Sequence, residues 1–420
     1  MNVSRELLER AESSLGFDPQ ALRRELAARA PAIHAPATAL QRRIAHALGE
    51  GPGGGGASDL AVDRLLYGGE QLNVSFLERG MIAADAVARL EVFDDESTLP
   101  GCGTGFMVSP RLLLTNHHVV PSAESAARSW ADFRHEYDAL GRPVQPLTFA
   151  LDPATFFFTD PTLDVTVVAV SPETPDGKEA VAAFGWLPLL SARDMALPGE
   201  WLSLVHHPGG RPKQIALRGN LLVHAGDARL WYVAESTAGS SGAPVFNDAW
   251  QVVAVHSLGV PARDRDGEIL TADGVAWSEQ TDESDIVWRA SIGTPAAAIV
   301  RRLTSACGSH PLVRQAIAAG DVDAADAVVV PLGSGPHRAR ALAVPPASGG
   351  NGWTAAGQPA DGGGASRTGN GNAAAAATAA TTGAAGSGEP SDAITITVPL
   401  RITVRPNESG RAPMLGVNLS

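Results

Sequence analysis

Ten short apolar or alternating runs, bounded by Gly, Pro and Asp, follow one another between about residues 86 and 259. They cover residues 88–93, 105–108, 111–115, 156–159, 164–170, 201–205, 214–217, 230–233, 244–246 and 250–255. Parallel strands need crossovers of helical length, and most of these runs are too closely spaced to hold one. The pattern therefore predicts a mainly β region built as an antiparallel barrel or sandwich.

The segments on either side of this region differ from it in composition. The first 50 residues carry apolar side chains at helical spacing, and Asp18-Pro19 provides a cap followed by the proline favoured at a first helical position. After the β region, Thr294-Pro295 predicts the capped start of one helix, and residues 309–319 predict another. A Gly/Ala-rich tract then separates these helices from the alternating run 394–404, in which Pro399 favours an edge strand.

These changes of composition predict six segments. They are a helical N-terminal segment (1–50), a spacer and lead-in (51–79), the β domain (80–305), a C-terminal helical extension (306–345), a disordered linker (346–390) and a terminal β-strand with its tail (391–420).

Net charge and cysteine usage indicate which partners, metal sites and cellular compartment to expect. The chain of 420 residues carries a formal charge of −13, so it offers no general attraction to nucleic acid or to anionic membranes. Its start alternates acidic and basic residues without an apolar stretch, and Cys102 and Cys307 form no CxxC pair. We expect a cytoplasmic protein without a nucleic-acid or membrane partner, a metal or a cofactor.

Three segments contain the residue types that acyl transfer by serine requires. That chemistry needs a base for the hydroxyl proton, a carboxylate to orient the base, and backbone donors for an oxyanion. Histidines follow an apolar run in T-N-H-H-V-V (115–120), Asp164 begins D-V-T-V-V-A-V, and serines lie between glycines in G-S-S-G-A-P-V-F (239–246). Each signal is weak alone, but together they indicate a serine hydrolase.

Over roughly residues 80–305 these segments resemble the trypsin-like serine peptidases of the chymotrypsin fold, in particular the bacterial glutamyl endopeptidases. The resemblance implies two antiparallel β-barrels and a serine endopeptidase acting on protein or peptide substrates. It makes His118 the base, Asp164 the orienting acid and Ser241 the nucleophile, with the amides of Gly239 and Ser241 as the oxyanion hole. Ser240 stands where the digestive enzymes of this fold carry an aspartate, so activation through that ion pair is not expected.

The same resemblance implies a substrate pocket formed by Glu235, Ser236, His256, Ser257 and Gly259. His256 resembles the pocket histidine of glutamyl endopeptidases and favours an acidic side chain at P1. Glu235 lies six residues before the nucleophile, where enzymes selective for Lys or Arg hold an aspartate. The two residues point to opposite preferences, and the balance favours acidic substrates.

Several alternatives stay open. An α/β-hydrolase would require G-x-S-x-G and a histidine after its serine, and neither is present. A catalytically silent module that binds peptides or recruits a partner would use the same fold. The N-terminal helices or the C-terminal strand could bind a protein partner or could fold back on the barrels. Asp152 and Asp160 are rival acids, but each precedes a proline and so suits a turn. His206 and His207 are expected to close a strand.

Overall fold

The computed structural model describes residues 17–27, 72, 74–93, 101–191, 195–233, 239–278, 281, 285–321, 400–405 and 414–419. The chain divides into two units, residues 1–347 and 348–420, which are described separately. None of the helices in these ranges is both long and apolar enough to cross a bilayer.

The first half of the β domain is a seven-stranded antiparallel sheet of half-barrel form. Its strands are β1 (Val87–Val92), β2 (Gly101–Met107), β3 (Leu112–Thr115), β4 (Trp130–Phe133), β5 (Leu147–Ala150), β6 (Phe157–Asp160) and β7 (Val165–Ala169), in the order β5-β4-β1-β2-β3-β7-β6. Strand β7 is buried at every position, which agrees with its run of β-branched residues. Antiparallel pairing of β3 with β7 aligns Thr115 with Thr166. The segment after β3, which carries His118, therefore lies next to Asp164, which directly precedes β7.

The second half is a closed barrel of six strands. They are β8 (Trp201–His206), β9 (Gln214–Ala225), β10 (Leu230–Val233), β11 (Pro244–Phe246), β12 (Val252–Pro261) and β13 (Trp288–Pro295), in the order β10-β13-β12-β11-β8-β9. The two sheets share one buried cluster, in which Val205, Phe246 and Val255 of the barrel join the side chains of the half-barrel. A mainly β domain of chymotrypsin type, with few helices, is therefore confirmed.

Five α-helices flank the sheets in the described ranges. They are α1 (Pro19–Ala27), α2 (Ser75–Asp85), α3 (Ala123–Ala127), α4 (Ala296–Cys307) and α5 (Pro311–Asp321). Helix α2 packs Phe76 against Trp250 with ring centroids 4.9 Å apart. Gly80 makes this contact possible, because a Cβ there would lie 2.4 Å from the Trp250 ring.

The N-terminal cap was predicted correctly, whereas the cap of the later helix was not. Asp18 Oδ1 accepts from the amide of Gln20 at 3.0 Å, and Pro19 is the first residue of α1. The rest of the predicted helical segment lies outside the described residues. At α4 the predicted threonine cap is wrong, because the hydroxyl of Thr294 donates to the carbonyl of Leu163 at 2.5 Å instead.

Other boundaries also differ from the sequence-based expectation. Helix α2 crosses residue 80, where the spacer was expected to give way to the β domain. The helix expected at 309–319 occupies Pro311–Asp321. Strands β4, β5 and β13 were not predicted, because β4 and β5 are only four residues long and the apolar residues of β13 are interrupted by Arg, Ser and Gly.

The second unit contains an antiparallel pair, β14 (Leu400–Arg405) and β15 (Met414–Leu419). One strand was predicted here, and the tail after it supplies the second. The earlier part of the predicted run, 394–399, lies outside the described residues.

Candidate active site

His118 and Asp164 form a hydrogen-bonded pair at the edge of the half-barrel. Nδ1 of His118 lies 2.9 Å from Oδ2 and 3.0 Å from Oδ1 of Asp164, and the His118 amide donates to Oδ1 at 3.1 Å. Asp164 is completely buried, whereas 14% of the His118 side chain is exposed. The carboxylate therefore fixes the imidazole so that Nε2 is the ring nitrogen left for a reaction partner.

Asp164 adopts an unusual backbone conformation at this position. Its φ is +57°, in the left-handed region that aspartate and asparagine tolerate better than other side chains. The Asn116 side chain donates to the Asp164 carbonyl at 2.8 Å, which holds the turn in place. Residues in sparsely populated conformations are concentrated at functional sites, and this one orients a buried acid toward a histidine.

Ser257 connects the barrel to this pair. Its hydroxyl donates to Oδ2 of Asp164 in a short hydrogen bond, and its carbonyl accepts from Oγ of Ser241 at 3.2 Å. Ser257 was predicted as a pocket residue. Its side chain instead supports the acid, and its main chain contacts the candidate nucleophile.

The loop that carries Ser241 is fixed to both halves of the domain. The amide of Thr104 in β2 donates to the Ser241 carbonyl at 2.9 Å, and the amide of Gly242 donates to the His256 carbonyl of β12 at 2.9 Å. Gly242 has a φ of +86°, and a Cβ there would lie 2.0 Å from the Thr104 carbonyl oxygen. The glycine after Ser241 is thus required by the close approach of β2.

The predicted oxyanion donors lie in the same loop. Gly239 has a φ of +87°, and a Cβ there would lie 2.5 Å from the His207 carbonyl oxygen. The hydroxyl of Thr104 donates to the Gly239 carbonyl at 2.7 Å. Within the described part of the chain, the amides of Gly239 and Ser241 have no acceptor. Two such donors in one turn are what an oxyanion hole requires.

The contacts of the neighbouring residues explain why His118 and Ser241 are the better candidates. Nδ1 of His117 lies 2.7 Å from the hydroxyl of Thr159. Ser240 is buried, with its hydroxyl 2.8 Å from Nδ1 of His206. His118 and Ser241 are both partly exposed. Over the described ranges no hydrogen bond joins Ser241 Oγ to the His118 imidazole, since the hydroxyl donates to Ser257.

Asp152 and Asp160, the rival acids, lie in other contacts. Asp160 Oδ1 accepts from the amide of Thr162, and Arg302 Nε donates to its Oδ2 at 2.5 Å. Asp152 pairs with Arg111 at 3.3 Å. Both acids therefore stabilise turns and packing, as the prolines after them predicted.

Burial keeps His206 and His256 neutral. It lowers the pKa of His206 to about 4 and that of His256 to about 3. The hydroxyl of Tyr232 lies 2.6 Å from Nδ1 of His256, and burial raises the pKa of Tyr232 well above its ordinary value. His256 thus presents a neutral imidazole rather than a cation at physiological pH.

The remaining predicted pocket residues divide into two groups. Gly259 is half-buried in β12, where it pairs with Ser291 of β13. Glu235 and Ser236 lie outside the described residues. His206 is the last residue of β8, as the sequence predicted. Its contact with Ser240 was not predicted, because no local sequence pattern indicates it.

A half-barrel and a closed barrel, with a His-Asp pair and a glycine-bounded serine between them, define a protein of the chymotrypsin fold class. Residues 103–255 match the family model of the trypsin-like peptidase domain, and in this respect the chain is similar to trypsin-like peptidases.

The chain is also similar to an uncharacterized protein, y4fB, of Sinorhizobium fredii (strain NBRC 101917 / NGR234). The two are 41% identical over 201 residues, which cover 46% of this chain and only 30% of that relative. Among solved structures, the serine endoprotease from Yersinia pestis is 16% identical, with a TM-score of 0.36, and the match covers 58% of this chain and 68% of that one. Deg5 is 15% identical with a TM-score of 0.36, covering 57% and 99%.

Proposed function

We propose that this protein is a serine endopeptidase that hydrolyses peptide bonds in protein substrates through an acyl-enzyme. The observation that carries the proposal is the buried carboxylate of Asp164 on Nδ1 of His118, beside the Ser241 loop, in which the amides of Gly239 and Ser241 have no acceptor among the described residues. The match of residues 103–255 to the trypsin-like peptidase domain supports the same chemistry.

In the first half-reaction Ser241 Oγ attacks the scissile carbonyl carbon, and its proton passes to Nε2 of His118. For this step the hydroxyl must turn from the Ser257 carbonyl toward the imidazole. The negative charge that develops on the carbonyl oxygen is stabilised by the amides of Gly239 and Ser241. Asp164 stabilises the imidazolium, which then protonates the leaving amine as the C–N bond breaks.

In the second half-reaction water attacks the acyl-enzyme, and His118 removes its proton. Collapse of the second tetrahedral intermediate returns the proton to Ser241 Oγ and releases the carboxylic acid. Each proton moves between Ser241, His118, substrate and water, and these steps require no cofactor.

We propose an acidic P1 preference, supported by the arrangement of Tyr232 and His256. Because the Tyr232 hydroxyl stays protonated, it can donate to Nδ1 of His256. Nε2 then carries the ring proton and can donate to a substrate carboxylate without a formal charge on the ring. A neutral donor recognises the carboxylate geometry at a smaller desolvation cost than a buried cation.

The second candidate is a catalytically silent module that binds a peptide in the same cleft. It is favoured by one observation, the hydrogen bond of Ser241 Oγ to the Ser257 carbonyl rather than to the imidazole. Such a module would bind peptides without turnover.

Labelling with an organophosphonate separates the two candidates. The wild-type chain and Ser240→Ala should incorporate the probe, whereas Ser241→Ala should not. Ser240→Ala is a matched control because it removes a hydroxyl from the adjacent residue. Failure of the folded wild-type chain to react would favour the binding module.

A further inference from the structure

The N-terminal helix α1 is docked on the outer face of the closed barrel. Leu26 is 2% exposed and belongs to a buried cluster with residues of four barrel strands. The other buried members are Leu221, Val223, Trp231, Val233, Leu258, Val260, Ala290 and Ile292. Leu26 is thus the one buried member that helix α1 contributes to this cluster, and the partly buried Phe17 and Leu22 pack against the same cluster.

Polar contacts fix the helix to strand β13. Gln20 Nε2 donates to the Arg289 carbonyl at 2.8 Å, and the Arg289 guanidinium lies 3.5 Å from Asp18. Phe17 packs edge-on against Trp231 with ring centroids 5.9 Å apart. The two contacts with Arg289 hold α1 at β13, the strand that pairs with β12, and the Phe17 contact reaches β10.

Strand β12 carries the residues that contact the candidate active site. It pairs with β13 through Leu258 opposite Ile292 and Val260 opposite Ala290, and all four side chains belong to the cluster that contains Leu26. The register of this ladder shifts between His256 and Leu258, which is where Ser257 lies. Side chains alternate along a strand, so Leu258 and Val260 face the cluster while Ser257 faces Asp164.

We propose that Leu26 is a positioning residue for the active site, acting through the β12–β13 ladder on Ser257. This inference rests on the proposed peptidase function. Ser257 holds Asp164 through its hydroxyl and Ser241 through its carbonyl, so a displacement of β12 moves the acid and the nucleophile together. The docked helix keeps the irregular register at Ser257 in its productive form, and release of the helix lowers activity while the two sheets remain folded.

The test uses the full chain with Leu26→Asp, which places a charge in the cluster and undocks the helix. The matched control is Arg24→Asp, which introduces the same side chain at an exposed position of the same helix. We expect Leu26→Asp to slow phosphonate labelling of Ser241 by about 10- to 100-fold, the range that small misplacements of catalytic groups produce. Arg24→Asp and the conservative Leu26→Met should label within about twofold of the wild type.

Two further measurements separate positioning from a general loss of structure. Hydrogen exchange of the amides in residues 257–260 should accelerate in Leu26→Asp, while the amides of β3 and β7 keep their protection. The pH profile of kcat, with the concentration of active sites taken from phosphonate titration, should shift because the hydrogen bond from Ser257 to Asp164 changes. If Leu26→Asp does not fold, Gln20→Ala removes the anchor to Arg289 without touching the core, and it should show the same effects in smaller measure.

Equal labelling rates and an unchanged pH profile in folded Leu26→Asp would overturn the inference and leave the peptidase proposal standing. Absence of labelling in the wild type would instead overturn the peptidase proposal.

Discussion

The hydroxyl of Ser240, the residue before the candidate nucleophile, lies 2.8 Å from Nδ1 of His206, and both side chains are buried. An acidic residue at position 240 would need a cationic partner, whereas serine needs only a neutral imidazole. Burial supplies that neutral imidazole, because it lowers the pKa of His206 to about 4. The hydroxyl of Ser240, the residue before the candidate nucleophile, therefore has a hydrogen-bond partner within the chain.

Protonation of the buried histidines predicts the pH dependence of stability. Above about pH 6.5 His206 is neutral in both states, so it does not change the free energy of unfolding with pH. Between about 6.5 and 4 the unfolded chain binds a proton that the folded chain does not, so stability falls as the pH falls. Below about 4 both states are protonated at this residue and no further loss occurs.

The expected slope is at most about 1.4 kcal/mol per pH unit for each such histidine. It can be measured from urea unfolding between pH 7 and pH 4.5. His206→Asn keeps a hydrogen-bonding group near Ser240 and should reduce the slope. An unchanged slope in that variant would show that His206 is not a source of the acid sensitivity.

Asp164→Asn should abolish most of the activity without unfolding the chain. Asparagine tolerates the left-handed φ of +57° and fills the same volume, but its amide nitrogen favours the wrong tautomer of His118. In Ser-His-Asp triads this change lowers turnover by about 10⁴-fold, and we expect a loss of that order. The measurements are kcat on a peptide substrate and near-ultraviolet circular dichroism, and retention of most of the activity would reject Asp164 as the orienting acid.

Substitution of Gly242, the residue directly after Ser241, should be far more damaging than substitution of another glycine with a similar backbone angle. In Gly242→Ala the new Cβ would overlap the Thr104 carbonyl at 2.0 Å, so strain and overlap together should destabilise the chain by at least about 3 kcal/mol. Gly141 also has a positive φ, of +73°, but a Cβ there would meet nothing within 4 Å. Gly141→Ala should therefore cost only about 1–2 kcal/mol of backbone strain.

Thermal unfolding of both alanine variants provides the measurement, with phosphonate labelling as a second readout. Gly141→Ala should label normally and Gly242→Ala should not. Equal destabilisation by the two substitutions would mean that the loop does not approach β2 as closely as described.

The P1 preference should depend on the Tyr232 hydroxyl. Tyr232→Phe removes the group 2.6 Å from Nδ1 of His256 and no longer fixes the ring tautomer. We expect kcat/KM for substrates with glutamate at P1 to fall about tenfold relative to those with glutamine, the usual scale for one lost hydrogen bond. A cleavage profile on a peptide library measures the ratio.

Glu235→Gln is the complementary change. It removes the acidic group expected to oppose a carboxylate and should raise the same ratio. A profile dominated by Lys and Arg that disappears in Glu235→Gln would reverse the proposed preference.

Local patterns in the sequence were sufficient for the fold class and for the choice of candidate residues. Alternating β-branched runs predicted strands because side chains on an extended chain face opposite sides, and Asp18-Pro19 predicted the start of α1 because capping is a local hydrogen bond. The glycines around Ser241 indicated a turn that other residues do not tolerate. Strands such as β13 were missed because their place depends on the strands beside them rather than on their own alternation.

The contacts between distant groups depend on the folded arrangement of the strands. The support of Asp164 by Ser257, the pairing of Ser240 with His206 and the docking of Leu26 on the barrel join residues far apart in the chain. Such contacts are set by strand register and by a one-residue irregularity at Ser257, and a local sequence pattern specifies neither. Local patterns of residues thus identify the side chains that are candidates for the chemistry, and the packing of the two sheets sets how those side chains are supported.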